Sequence, residues 1–385
     1  MSVIETPSAA ADGAERVAWT RSNMPLLAAL REEFARERPL EEHRLGMCLH
    51  VEPKTAVLVE VLVAGGCAVT ITGSPATTDD GTAAALDADG VTVYARAADD
   101  ARDHAVHIGR VLDSGPDCLL DNGADLIAGA VARGLDVDFA TEETTSGANR
   151  LKEEFAGEVP FPVVVIDDSP LKRLIENTYG VGPTVVEGFM RLTNCLVPAT
   201  TFAVVGYGAC GRGVARALRA DGATVIAVEV DPVRALEAAF EGMRVLSLDR
   251  ALAEADVVIT VTGRTGIVGP RELRLMRDGA ILANAGHFSE LVVDGLPRRR
   301  VAPGVEELTV GARTLRLLGR GEMLNLTGAT GNQIQVMDLG FALQAHSLRA
   351  LARDPAAFAP GPQPVPREID EAVGRAMLAS LPATR

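Results

Sequence analysis

Short apolar runs alternate with amphipathic stretches along most of the chain, separated by turns rich in Gly, Asp and Asn. Apolar runs at 47–50, 68–72, 117–121 and 163–166 read as buried strands, and 55–63 and 81–86 as helices. A helical pattern at 185–197 leads to Pro198, which reads as a hinge. A second series follows, with strands at 203–205, 224–228, 257–260 and 280–284. A helix at 335–351, a proline-rich linker at 355–366 and a short helix at 369–381 complete the pattern. Repeated strand–helix alternation predicts an α/β fold with parallel sheets.

The first 22 residues lack a basic start and an apolar core, so they are not a signal peptide, and they read as a disordered leader. The chain has 385 residues, 47% of them hydrophobic, enough for two domains with substantial cores. A net charge of −15 argues against nucleic acid as a partner. No apolar run is long enough to span a bilayer, so no membrane association is expected. The five cysteines lie far apart without paired metal spacing. That suits reduced thiols in a cytoplasm and no metal site.

Chemistry enters with Ala203-Val-Val-Gly-Tyr-Gly-Ala-Cys-Gly-Arg-Gly213. An apolar strand runs into Gly206-x-Gly208-x-x-Gly211, a helical stretch follows, and a second strand ends on Glu229. This order is a dinucleotide-binding fingerprint. Gly206 permits the tight turn, Gly208 lets backbone approach a pyrophosphate, and Gly211 packs helix on strand. The helix start offers N–H groups and a positive dipole end to the phosphates. Glu229 suits ribose hydroxyls, so NAD is expected rather than NADP.

From residue 23 to 380 the chain resembles the S-adenosyl-L-homocysteine hydrolase family. The resemblance is carried by Gly206-Tyr-Gly-Ala-Cys-Gly-Arg-Gly213, Glu229-Val-Asp-Pro232, Asp168-Ser-Pro-Leu-Lys-Arg-Leu-Ile-Glu-Asn-Thr-Tyr-Gly180, Glu142-Glu-Thr-Thr-Ser-Gly147, Asn284-Ala-Gly-His-Phe288 and Cys48-Leu-His50. It implies a substrate-binding α/β domain at 23–183, with a Rossmann-type NAD-binding domain at 184–330 inserted into it. A return segment at 331–365 and a C-terminal helix at 366–385 follow. It also implies a homo-oligomer, a dimer or tetramer, acting on a small nucleoside.

Family chemistry starts with oxidation of the ribose 3′-hydroxyl by NAD⁺. The ketone acidifies C4′–H, a base removes that proton, and the 5′ substituent leaves. In the hydrolases water then adds and the ketone is reduced again. By resemblance, Lys172 takes the 3′-hydroxyl proton and Glu143 accepts the ribose hydroxyls. His50 and His287 serve proton transfer at the 5′ end. Thr144, Thr145, Ser146 and Asn177 face the nicotinamide end, and Thr262, Asn284 and Asn325 complete the cofactor set. Thr77 joins the substrate side.

The departures from the family pattern cluster. Asn122 stands where the family has an aspartate of its acid/base set, and Asn cannot exchange a proton at neutral pH. Glu176 replaces the aspartate paired with the catalytic lysine, and Val181 replaces a cysteine near the nicotinamide. On the adenine side, Glu52 and Lys54 replace a small polar residue and a glutamate. The gating histidine is Asn332. The family's C-terminal tail, with a lysine and a tyrosine that reach a neighbouring subunit's cofactor, has no counterpart. The 3′-oxidation set is kept while the 5′ side is altered. That pattern points to a diverged member that eliminates without adding water, a dehydratase or lyase giving a 4′,5′-unsaturated nucleoside. Such chemistry belongs to nucleoside-antibiotic pathways, conversion of angustmycin C to A being one such net outcome. The alternatives are a true S-adenosylhomocysteine hydrolase and a non-enzymatic NAD-binding regulator.

Overall fold

A computed structural model of the protein describes residues 1–381. The chain divides into two units. Unit 1 comprises Met1–Lys172 and Ile334–Arg385, and unit 2 is Arg173–Gln333. The divisions fall earlier than expected at the first crossing and slightly later at the second.

Unit 1 first lays down strands β1 (Arg44–Cys48), β2 (Ala68–Thr72), β3 (Thr92–Tyr94), β4 (Cys118–Asp121), β5 (Phe139–Glu142) and β6 (Pro162–Val165). Unit 2 contributes β7 (Thr201–Val205), β8 (Thr224–Val228), β9 (Arg244–Val245), β10 (Val257–Thr260), β11 (Ile281–Asn284), β12 (Arg298–Ala302), β13 (Val305–Val310) and β14 (Arg313–Leu318). The returning chain adds β15 (Gly361–Pro364) to unit 1.

The unit 1 sheet runs β15-β6-β5-β4-β1-β2-β3 with every pairing parallel. Strand order reverses between β1 and β4, and the open end of such a reversal is where doubly wound sheets bind ligands. The unit 2 sheet runs β12-β13-β14-β11-β10-β7-β8-β9. Its parallel part reverses order between β7 and β10, and an antiparallel extension through β13 and β12 closes one edge. Both are Rossmann-like α/β layers, as the strand–helix alternation predicts.

Two expectations are corrected. The leader is not disordered: Ala10–Ser22 forms a helix whose face Gly13, Val17 and Thr20 is buried. A Cβ at Gly13 would lie 1.9 Å from the Gly81 carbonyl oxygen, so this helix meets the helix Asp80–Ala88 backbone to backbone. The stretch 355–366 is not merely a linker, because it contains β15, paired in parallel with β6. Its prolines suit an edge strand, where a missing N–H costs nothing to a neighbour.

Candidate functional site

In unit 1 the residues of interest gather at the carboxyl ends of β1, β4 and β5. His50 follows β1 and Asn122 follows β4 directly, one on each side of the strand-order reversal. Thr77 Oγ1 donates to the Ser74 carbonyl (2.8 Å), so it must accept from His50 Nδ1 at 3.0 Å. In the neutral ring that places the proton on Nδ1 and the lone pair on Nε2. Asn122 Nδ2 lies 3.5 Å from that Nε2 and 3.3 Å from Ser74 Oγ. The Asn122 Oδ1 is buried and has no hydrogen-bond partner among the described residues.

The turn that carries Asn122 is held by acids. Gly123 (φ 93°) and Ala124 (φ 63°) both occupy the left-handed region, which disfavours alanine. Glu142 accepts from the Gly123 and Ala124 amides (3.0 Å each), from the Thr144 amide (2.9 Å) and from Thr144 Oγ1 (2.6 Å). Asp121, paired in register with Glu142, accepts from the Asn122 and Ile127 amides at 2.8 Å. Burial pushes the Glu142 carboxyl up to about 7, although these donors favour its anion. Burial, then the charges of Glu142 and Asp125, lifts Asp121 well above the ordinary range. Asp125 behaves oppositely. Burial opposes its charge, but hydrogen bonds from His104 (3.0 Å) and Arg150 (2.6 Å) outweigh that and hold it low.

Glu143 and Lys172 form an ion pair in which both side chains are buried. The other Glu143 oxygen accepts from Gln344 Nε2 at 2.5 Å. Gln344 is fully buried, and its Oε1 has no partner among the described residues. Sequence reasoning missed it. The signal was a lone amide on an otherwise apolar face of the helix Ile334–Arg353. Glu142 was read only as part of a motif, and its clamping role was missed too. Glu52 pairs with Lys54 at 2.6 Å. Burial raises Glu52 above the ordinary carboxylate range, and Lys54 opposes the rise. Thr144 caps the helix Thr145–Glu153 by accepting from the Gly147 amide, and Ser146 donates to Thr144 Oγ1 at 3.1 Å.

Lys172–Gly180 is wound as a π-helix, a rare form enriched at functional sites. Thr178 Oγ1 donates to the Arg173 carbonyl five residues back. The wide turn carries Lys172, Glu176 and Asn177, all buried. Within unit 2, Asn332 Nδ2 lies 3.5 Å from Glu176 Oε1. Two positions expected to depart from the family pattern therefore face each other.

The glycine turn of unit 2 fits a dinucleotide. Gly206 has φ 102°, and a Cβ on it would approach the Val261 carbonyl oxygen to 2.7 Å. A Cβ on Gly211 would lie 2.0 Å from the Gly206 carbonyl oxygen. In front of Gly208 the space is open, with nothing nearer than Arg234 at 3.7 Å. Gly208 starts the helix Ala209–Ala220 with no side-chain cap, whereas Asp231 caps the next helix with its own carboxylate. Uncapped amides facing open space are what phosphates require. At the end of β8, Glu229 accepts from the Tyr207 (2.8 Å), Val230 (2.7 Å) and Asp231 (2.9 Å) amides. Asn177 lies by the same helix, its carbonyl oxygen 3.0 Å from a Cβ built on Gly213.

At the ends of β10 and β11 an unpredicted residue organises the predicted ones. Glu290 is fully buried and accepts from the Thr262 amide (2.8 and 2.9 Å), Thr262 Oγ1 (2.8 Å) and the Gly263 amide (2.7 Å). Asn284 accepts from Thr260 Oγ1 and the Gly286 amide, and donates to the Gly286 and Phe288 carbonyls. These bonds shape the loop that carries His287, whose ring packs edge-on against Phe288. Asn325 Oδ1 is buried without a partner among the described residues, so it can accept from a bound group.

Comparison with known proteins shows the family. Residues 2–140 match the family description "S-adenosyl-L-homocysteine hydrolase", and residues 177–331 match its "NAD binding domain". An S-inosyl-L-homocysteine hydrolase from Methanopyrus kandleri is 43% identical, over 98% of this chain and 92% of its own. Adenosylhomocysteinases from Archaeoglobus fulgidus and Thermotoga maritima are each 39% identical. Both alignments cover 96% of this chain, with 94% and 95% of the respective relatives. This chain belongs to the S-adenosyl-L-homocysteine hydrolase family and is an NAD-dependent enzyme of it.

Proposed function

We propose that the enzyme oxidises a nucleoside at the ribose 3′-hydroxyl and eliminates the 5′ hydroxyl as water, leaving a 4′,5′-unsaturated product in nucleoside-antibiotic biosynthesis. Bound NAD⁺ supplies the hydride acceptor. The observation that carries the reading is Asn122 beside His50 Nε2.

An amide cannot act as base, so His50 inherits the proton transfers. Its Nε2 lone pair takes the C4′ proton, and the imidazolium returns that proton to the departing 5′ oxygen. One group thus serves both ends of the elimination, and once the hydride is returned to C3′ the net loss is one water. Asn122, through its unpartnered Oδ1, accepts from a substrate hydroxyl and positions it. Asp125 is a poor substitute base, being held low by His104 and Arg150. Lys172 accepts the 3′-hydroxyl proton once the proton held by its ion pair with Glu143 has been shed, and Glu143 stabilises the ammonium that results. The glycine turn, Glu229 and Asn325 hold the cofactor. Work in the cytoplasm fits the reduced thiols.

The second reading is hydrolysis of S-adenosyl- or S-inosyl-homocysteine, favoured by the names of the relatives above. Purified enzyme incubated separately with both thioethers and with 5′-hydroxyl nucleosides, followed by mass spectrometry, distinguishes them. Loss of water from a nucleoside without homocysteine release supports elimination. Efficient homocysteine release sinks it in favour of hydrolysis.

A further inference from the structure

The opposite end of the unit 1 sheet carries a second donor cluster. His43 precedes β1, while Asp117 and Cys118 lie at the start of β4. One ligand atom from each lies within 4.8 Å of the others. His43 Nδ1 and Asp117 Oδ1 are 2.9 Å apart. The Cys118 thiol is buried and in no disulfide. His43 and Asp117 are partly exposed, which gives an ion a way in.

We infer that His43, Asp117 and Cys118 form a site for a thiophilic divalent cation of the zinc type, with water as the fourth ligand. One sulfur, one imidazole and one carboxylate suit zinc and suit magnesium or calcium poorly. Charge supports it, because one thiolate and one carboxylate balance a dication. The Arg44 amide donates to both Asp117 oxygens at 3.1 Å and fixes the carboxylate. The site would tie together the starts of β1 and β4, about 13 Å from the ends that carry His50 and Asn122. The metal would be structural, with no part in the reaction.

The full-length protein, stripped with chelator and dialysed, is titrated with Co(II), whose thiolate charge-transfer band reports sulfur ligation. One equivalent should produce that band with intense tetrahedral visible absorption, and Zn(II) should displace it. Cys118→Ser should lose the band, and Cys195→Ser, at an exposed thiol, should keep it. His43→Ala, at a partly exposed position that should tolerate change, should weaken Co(II) binding about tenfold or more. No band with wild type overturns the proposal, as does a band that survives Cys118→Ser or vanishes with Cys195→Ser. If the cysteine variants do not fold, the His43→Ala titration decides, and unchanged affinity there overturns it.

Discussion

Lys172 and Glu143 neutralise each other out of water, so each is tolerable only while the other is present. Lys172→Ala should remove the first proton acceptor and abolish the transient NADH absorbance seen on adding substrate, while NAD stays bound. Loss of a positioned base costs about 10²–10⁴-fold in rate, so near wild-type turnover would exclude the assignment. Stability should also drop, by about 3–5 kcal/mol, since an uncompensated carboxylate remains buried. Asn122→Asp would set a carboxylate close to His50 Nε2 and favour the imidazolium. The basic form would then appear only at higher pH, and the rising limb of activity against pH should move upward. An unmoved profile would show that His50 is not the group being titrated. Residues in short motifs, such as Lys172, Glu143, His50 and Gly206, were legible because their neighbours in sequence announce them. Gln344, Glu142 and Glu290 were not, because what defines each is a partner contacted through the fold or an amide in a turn.

At the scale of elements, the helix Pro25–Glu37 shows how a local end depends on a distant residue. It has no side-chain cap of its own. The Leu26 and Leu27 amides instead donate to buried Asp338 at 2.9 Å each. Burial raises Asp338 to about 6, against the pull of those two amides. A carboxyl that binds its proton more tightly when folded favours the folded state below its unfolded pKa. That contribution fades as pH rises towards 6. The window therefore runs from about 4 to about 6 and spans about 3 kcal/mol. Asp338→Asn should flatten this part of the melting-temperature profile, and an unchanged slope between pH 4.5 and 6.5 would refute the linkage. A second element-level test concerns Gly211→Ala. Its Cβ has no room beside the Gly206 carbonyl, so the turn must open and NAD affinity should fall at least tenfold by calorimetry. Most strands were legible from their apolar runs. The helix Ala10–Ser22 was hidden by its polar composition, its buried face resting on one glycine contact. β15 was hidden by its prolines, which only an edge position accommodates.

At the scale of the molecule, the helix Pro232–Phe240 leaves Val233, Leu236 and Phe240 exposed along one face. A stripe of that size fits the expected homo-oligomer. Phe240→Asp with Leu236→Asp should shift sedimentation to the monomer without changing the far-ultraviolet spectrum, and a wild-type monomer at micromolar concentration would remove the basis for the prediction. The two-unit division was legible from the placement of the glycine fingerprint between two α/β patterns, though its borders were not, because the π-helix straddles the first of them. That interrupted arrangement also sets a timetable. Unit 2 is one continuous stretch, whereas the Leu26–Asp338 bond spans 312 residues and the Glu143–Gln344 bond spans 201. During translation, unit 2 can complete its sheet while unit 1 still waits for its last helix and strand. The amide that orients Glu143 toward Lys172 is among the late arrivals at the ribosome. A nascent chain therefore cannot complete the surroundings of Glu143 until nearly all of it has been made.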